Sequence, residues 1–196
     1  VSGNHASSPV AAQVRHVEAL LEERGLLDPH EIDERIDALA AGGTPANGAA
    51  LVARAWVDPA FRERLLADGN AAIAELGFSM GGALQEQKLT VMANDADEHH
   101  VVVCTLCSCY PIALLGPSPG WYKSEAYRSR VVREPRAVLR EFGLELPAST
   151  RITVWDASAE SRYLVLPRRP EDTEGRSEEE LAGLVTRKGL IGTAAV

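Results

Sequence analysis

Cysteine is nearly absent from this sequence: three residues in 196, at positions 104, 107 and 109. That scarcity excludes a fold stapled by disulfides, which would spread its cysteines along the chain, and three thiols cannot all pair among themselves. Long apolar runs are missing too. No stretch approaches the ~20 residues that a membrane-spanning helix needs, so no membrane partner is expected. Positive charge is in short supply: 20 Lys and Arg stand against 28 Asp and Glu, for a net charge of -8. With no basic stripe interleaved with aromatics, no nucleic-acid partner is expected either. The opening stretch VSGNHASSPV has neither the charged nor the apolar region of a secretory signal, which makes a reducing cytoplasm the expected location.

What is present is the composition of a globular protein, 45% hydrophobic and 24% charged, long enough for one substantial core and an appended arm. Residues 1–9 read as a disordered lead. Val14, Val17, Leu20 and Leu21 then recur at helical spacing, with Gly25 as the stop. Asp28-Pro29 reads as an N-cap followed by proline at the first helical position, opening a helix to about Ala41. Gly42-Gly43-Thr44-Pro45 breaks it, and further helices are predicted over 46–56, from Asp58-Pro59, and over 70–76. The pattern then changes to valine-rich strands at 88–93, 99–104, 151–155 and 162–166, with helices between them at 125–132 and 135–142. Ser177 and Glu180 form a capping box for a last helix ending near Gly189. No internal repeat is visible. These elements predict an α+β protein: an N-terminal helical arm over residues 1–45, then a mixed α/β-layered catalytic domain over 46–196.

Cys104, Cys107 and Cys109 make the pattern Cys-x-x-Cys-x-Cys. In Cys107-Ser108-Cys109 two thiols flank the backbone amides of Ser108 and Cys109. If those amides lose their protons, the tripeptide offers one metal two sulfurs and two nitrogens in small fused chelate rings. Such rings favour a tetragonal plane, with Cys104 within axial reach and a sixth site left for water or substrate. Zinc prefers a tetrahedron, whereas a trivalent Lewis-acidic ion suits ionised amides and thiolates. A zinc site completed by His99 or His100 competes, although the Cys-x-Cys bite is tight and a second Cys-x-x-Cys is missing. A dithiol redox motif also competes but leaves Cys109 unexplained. By spacing alone a metal site leads, and its reaction stays open.

The stretch Val-Cys-Thr-Leu-Cys-Ser-Cys-Tyr-Pro resembles the metal-binding signature of the alpha subunit of nitrile hydratases, which the gamma subunit of thiocyanate hydrolase shares. Trp121-Tyr122-Lys123, the run from Tyr127 to Arg136, Val154-Trp155-Asp156, Glu160-Ser161-Arg162-Tyr163, Leu166-Pro167, Arg169-Pro170 and Leu184-Val185-Thr186-Arg187 resemble blocks that follow in the family's order. The resemblance runs from about Trp56 to Gly192. It implies the alpha-chain fold and hydration of a small-molecule nitrile to the amide. Cys104, Cys107, Cys109 and the backbone nitrogens of Ser108 and Cys109 would be the metal ligands. Cys107 would be oxidised to a sulfinate, Cys109 to a sulfenate, and Cys104 left as a thiolate. Thr105 in place of serine resembles the cobalt-type members, implying low-spin, non-corrin Co(III), with Fe(III) as the alternative.

The resemblance also implies a beta-type partner subunit whose arginines hold the cysteine oxygens. Attack on the nitrile carbon would come from the Cys109 sulfenate oxygen or from hydroxide. Gln85 stands where the family places a glutamine near the site, and Glu160 and Arg162 resemble a pair that tunes the site from behind its ligands. Arg128 and Arg133 are candidates for anchoring the cysteine loop or the interface, and His99 and His100 read as structural. Ile112-Ala113-Leu114-Leu115-Gly116 departs from the bulkier Trp-Pro-Val-Leu-Gly of many cobalt-type members. Residues 38–50 lack the usual acidic segment. Both departures suit a member acting on a larger nitrile, such as that of the nucleoside antibiotic toyocamycin. Gly116-Pro117-Ser118-Pro119-Gly120-Trp121 instead resembles the thiocyanate hydrolase group. A non-catalytic zinc-binding module is the third expectation.

Overall fold

The computed structural model describes residues 9–81, 87–107 and 109–196. The chain divides between Ala41 and Gly42 into two units. The smaller is built on α1 (Pro9–Glu23) and α2 (Pro29–Gly42). α1 ends where Gly25 takes a φ of +65°, so that Gly25 N–H reaches the Glu22 carbonyl and Leu26 N–H the Leu21 carbonyl. α2 opens as Asp28-Pro29 predicts, with the Asp28 carboxylate accepting from His30 N–H at 2.9 Å. α1 buries none of its residues: Val10, Val14 and Val17 recur at helical spacing and are 66%, 51% and 53% exposed.

The larger unit starts with three helices, α3 (Pro45–Val57), α4 (Pro59–Ala67) and α5 (Gly69–Ala74). Asp58 and Asp68 cap the second and third, accepting from Phe61 N–H at 3.0 Å and Ala71 N–H at 3.1 Å. Strands β1 (Lys88–Ala93) and β2 (Glu98–Val103) follow, then α6 (Ile112–Leu115), a 3-10 turn at Gly120–Lys123, α7 (Glu125–Val131) and α8 (Pro135–Glu141). Strands β3 (Arg151–Asp156) and β4 (Ser161–Leu166) precede α9 (Glu178–Ala182) and α10 (Arg187–Ile191). The capping box at Ser177 and Glu180 is present, but the single last helix predicted from it is two. The first stops at its C-cap Gly183, and Thr186 is extended, its hydroxyl capping a new helix by accepting from Gly189 N–H at 3.1 Å.

The strands pair in parallel as two separate ribbons. β1 runs beside β4 from Lys88 opposite Ser161 to Ala93 opposite Leu166. β2 runs beside β3 from Glu98 opposite Arg151 to Val103 opposite Asp156. Parallel strands need cover on both faces, and residues 99–103 of β2 are all buried. Within the larger unit one hydrophobic core holds helices and strands together, with Leu51, Phe61, Leu65, Ile73, Leu114, Leu139, Leu164 and Leu190 at or below 1% exposure. Each such side chain contributes about 1.5–3 kcal/mol when taken from water. The fold is thus mixed α+β, as the sequence predicts.

Candidate metal centre

β2 is the element that delivers the site. Its last residue, Val103, is fully buried, and Cys104, next in the chain, is 1% exposed. Because β3 runs parallel, its C-terminal residue Asp156 arrives at the same end. The Asp156 carboxylate accepts from the Thr105 amide at 2.8 Å and from the Thr105 hydroxyl at 2.5 Å. Ala157 N–H donates to the Val103 carbonyl at 2.7 Å, extending the ribbon to the start of the loop. From α7, Arg128 Nη1 donates to the carbonyls of Thr105 at 3.3 Å and Cys107 at 3.4 Å. From the 3-10 turn, Tyr122 O–H donates to the Cys109 carbonyl at 2.9 Å.

Held in this way, the loop turns back so that Cys107 N–H reaches Cys104 Sγ at 3.3 Å. Cys104 and Cys107 sulfurs stand 3.4 Å apart, those of Cys107 and Cys109 3.3 Å apart, and all three lie within 4.8 Å of one another. None is in a disulfide, whose sulfurs would be about 2.05 Å apart. Cys104 is buried, Cys109 half-buried and Cys107 exposed, so the cluster opens outward at its middle member. Leu106, at the tip of the loop, is 88% exposed.

Charge chemistry at the cluster asks for a cation. Burial pushes the Cys109 thiol up to about 12, hydrogen bonding from Cys107 adds to the rise, and the positive charge of Arg162 opposes it. Three close thiols cannot ionise together in a half-buried place unless positive charge joins them. Soft sulfur donors at this separation fit a transition metal. Among the described residues this is the group of His, Cys, Asp and Glu side chains that could hold one. The histidines do not join it. His99 Nε2 lies 2.8 Å from the Gly192 carbonyl and can only donate to it, so Nδ1 accepts from the Asn94 amide at 3.1 Å. Burial holds this neutral ring below the ordinary histidine range. His100 Nδ1 accepts from Trp155 Nε1 at 3.1 Å.

The family described as nitrile hydratase, alpha chain, matches residues 8–194. The chain belongs to the nitrile hydratase alpha-chain family. It is therefore an enzyme subunit. The cobalt-containing nitrile hydratase subunit alpha of Pseudonocardia thermophila is 49% identical over 192 residues, covering 97% of this chain and 93% of that one. The thiocyanate hydrolase subunit gamma of Thiobacillus thioparus is 46% identical over 158 residues, covering 76% and 65%. A solved double mutant of the Fe-type nitrile hydratase from Comamonas testosteroni Ni1 superposes with a TM-score of 0.88 at 42% identity, over 99% of this chain and 92% of that chain. The family match starts at residue 8, so it takes in the arm, ahead of the Trp56 at which the motif resemblance begins.

Of the other candidates, Arg162 is 7% exposed, with Nη1 donating to the carbonyls of Ser158, Ala159 at 3.3 Å and Ser161 at 3.1 Å. Its charge acts on Cys109. Glu160 is exposed and accepts from the Ser158 hydroxyl at 2.9 Å, with no ion pair to Arg162. Arg133, in the turn after α7, reaches back to the Ser129 carbonyl of that helix at 2.9 Å. Gln85 and Ser108 lie outside the described residues. Sequence reasoning gave no role to Asp156 and Tyr122. Both sit inside the quoted Val-Trp-Asp and Trp-Tyr-Lys blocks, and the available signal was an acidic residue closing a strand and an aromatic soon after the cysteines.

Proposed function

We propose that the chain is the metal-bearing subunit of a nitrile hydratase, hydrating a nitrile to the corresponding amide at a Co(III) centre. The observation that carries the reading is the convergence of three free cysteine sulfurs within 4.8 Å at the end of β2, in a chain 49% identical to a cobalt-containing alpha subunit. Cys104, Cys107 and Cys109 would hold the metal through sulfur, and Ser108 and Cys109 through their backbone nitrogens. Bound there, a trivalent ion supplies the Lewis acidity that a carbon–nitrogen triple bond needs before water adds to it. The chain's own part is to hold the ligands. Asp156 fixes Thr105, Arg128 the carbonyls around Leu106, and Tyr122 the carbonyl of Cys109. Arg162 adds positive charge behind Cys109, which favours its ionised form. Cys107 as a sulfinate and Cys109 as a sulfenate would present their oxygens on the open side of the cluster.

That open side supports a partner. Exposed Cys107 and Leu106 suit a beta-type subunit that covers the loop and supplies arginines to the cysteine oxygens, and residues 1–45 are this chain's own helical arm, preceding in sequence its catalytic domain over 46–196. Among the described residues no helix is long and apolar enough to cross a membrane, which is compatible with a cytoplasmic enzyme. A second reading, a gamma-type subunit of thiocyanate hydrolase, is favoured by the 46% identity to such a subunit. One experiment tests the set: co-express the chain with its partner subunit, then measure intact mass, metal content, and turnover of a nitrile panel and of thiocyanate. One cobalt, three added oxygens and amide production are expected. Zinc with three unmodified thiols overturns the enzyme, and turnover of thiocyanate alone transfers it to the second reading.

A further inference from the structure

We propose that Tyr122 is a positioning residue of the metal centre: its hydroxyl grips the Cys109 carbonyl and sets where the Cys109 sulfur stands against the Cys104–Cys107 pair. The proposal rests on the metal-centre reading above. The three cysteines are anchored by different means. Cys104 continues β2 and is buried with it. Cys107 has its own carbonyl held by Arg128 and stands two residues after a threonine held by Asp156. Cys109 is past both anchors, and its side chain is only half-buried. Tyr122 supplies the missing hold at 2.9 Å.

Tyr122 is built for that duty. It is 0% exposed, and its ring is edge-on to Tyr110 at 5.1 Å between centroids and to Trp121 at 6.1 Å. Tyr127 closes a third side at 5.9 Å. A ring walled on three sides cannot swing, so its hydroxyl points in one direction, and the carbonyl it binds loses its freedom to rotate. Fixing that carbonyl fixes the backbone torsion that carries the Cys109 side chain, and with it the 3.3 Å spacing of the Cys107 and Cys109 sulfurs. A merely structural tyrosine is available next to it for comparison. Tyr127, 5% exposed in the same aromatic cluster, donates to the Val102 carbonyl at 2.7 Å, inside the ribbon and away from the loop.

The test compares Tyr122→Phe with Tyr127→Phe in the cobalt-loaded complex with the partner subunit. Each change removes one buried hydroxyl from one backbone carbonyl, so both should lower the melting temperature. Tyr122→Phe alone should also shift the sulfur-to-cobalt charge-transfer band and lower kcat about 10-fold with KM unchanged. Para-aminophenylalanine at position 122, which keeps the ring and a donor, should restore both. Band and kcat in Tyr122→Phe matching those of Tyr127→Phe, or no rescue by the amino analogue, would overturn the proposal. If the unsubstituted complex holds cobalt and shows the band, such a failure is the positioning claim's alone. If it holds none, the metal reading falls, and the proposal with it.

Discussion

The two parallel ribbons are the same device with different loads. Each pairs two six-residue strands, and each brings two chain segments to one end. Past β1 the chain turns through Asn94, whose N–H donates to the Leu166 carbonyl at 2.9 Å and whose side chain ties His99 and His100. The Asn94 contacts are uncharged hydrogen bonds, and the next residue, Asp95, spends its carboxylate on the amides of Asp97 and Glu98 within its own turn. Past β2 come Cys104 and Thr105, and the neighbouring strand contributes a carboxylate. Side chains there hold a loop rather than a strand, and among the described residues the loop gathers three thiols and no His, Asp or Glu with them. The difference teaches that parallel pairing supplies only a meeting place. The residues just beyond the strands decide whether the end is plain structure or chemistry.

The comparison breaks most completely at Cys109. Cys109→Ala removes one sulfur and is expected to abolish cobalt retention, read by metal analysis after dialysis. Stoichiometric cobalt in that variant would refute the ligand assignment. Asp156→Ala comes next. With Thr105 released, cobalt affinity should fall about 10–100-fold while the fold survives, as seen by chelator competition and circular dichroism. Asn94→Ala is the matching change at the plain end. It leaves the buried His100 N–H without its 2.8 Å acceptor and should cost about 1–3 kcal/mol in denaturant unfolding, with cobalt content unchanged.

The smallest effect is expected at the opposite end of the β2–β3 ribbon. Arg151 and Thr153, both donating to the Glu98 carboxylate at 2.5 Å, pull it down to about 2 from its ordinary 4.5. A carboxylate depressed in the folded state adds stability that is complete above its unfolded value and lost as pH falls through its folded one. The melting-temperature gap between the chain and Glu98→Gln should therefore be constant near neutral pH, shrink below about 4.5 and vanish near 2. A gap independent of pH would show that the ion pair on this exposed edge contributes nothing.

Most helix starts and all four strands were legible because their signals are local. Asp28-Pro29, Asp58-Pro59 and Ser177 with Glu180 cap within one turn, and the valine-rich runs mark the strands. The break between Gly183 and Thr186 was missed because a lone glycine is tolerated within a helical pattern and a threonine carries no strong stop signal until its hydroxyl turns to cap the next helix. The aromatic group of Tyr110, Trp121, Tyr122, Tyr127 and Phe142 was invisible as a unit, since its members come from four separate segments.

The sequence by itself determined the donor set: three thiols within six positions can reach one ion whatever the rest of the chain does, because the distance is set by the length of a short loop. Only the tertiary structure decided what holds that loop. The grips come from 13, 21 and 51 positions away, at Tyr122, Arg128 and Asp156. No local rule of spacing reaches so far. Those side chains meet the loop because β3 lies parallel to β2 and because burial packs α7 and the 3-10 turn beneath it, and both are consequences of forming one core.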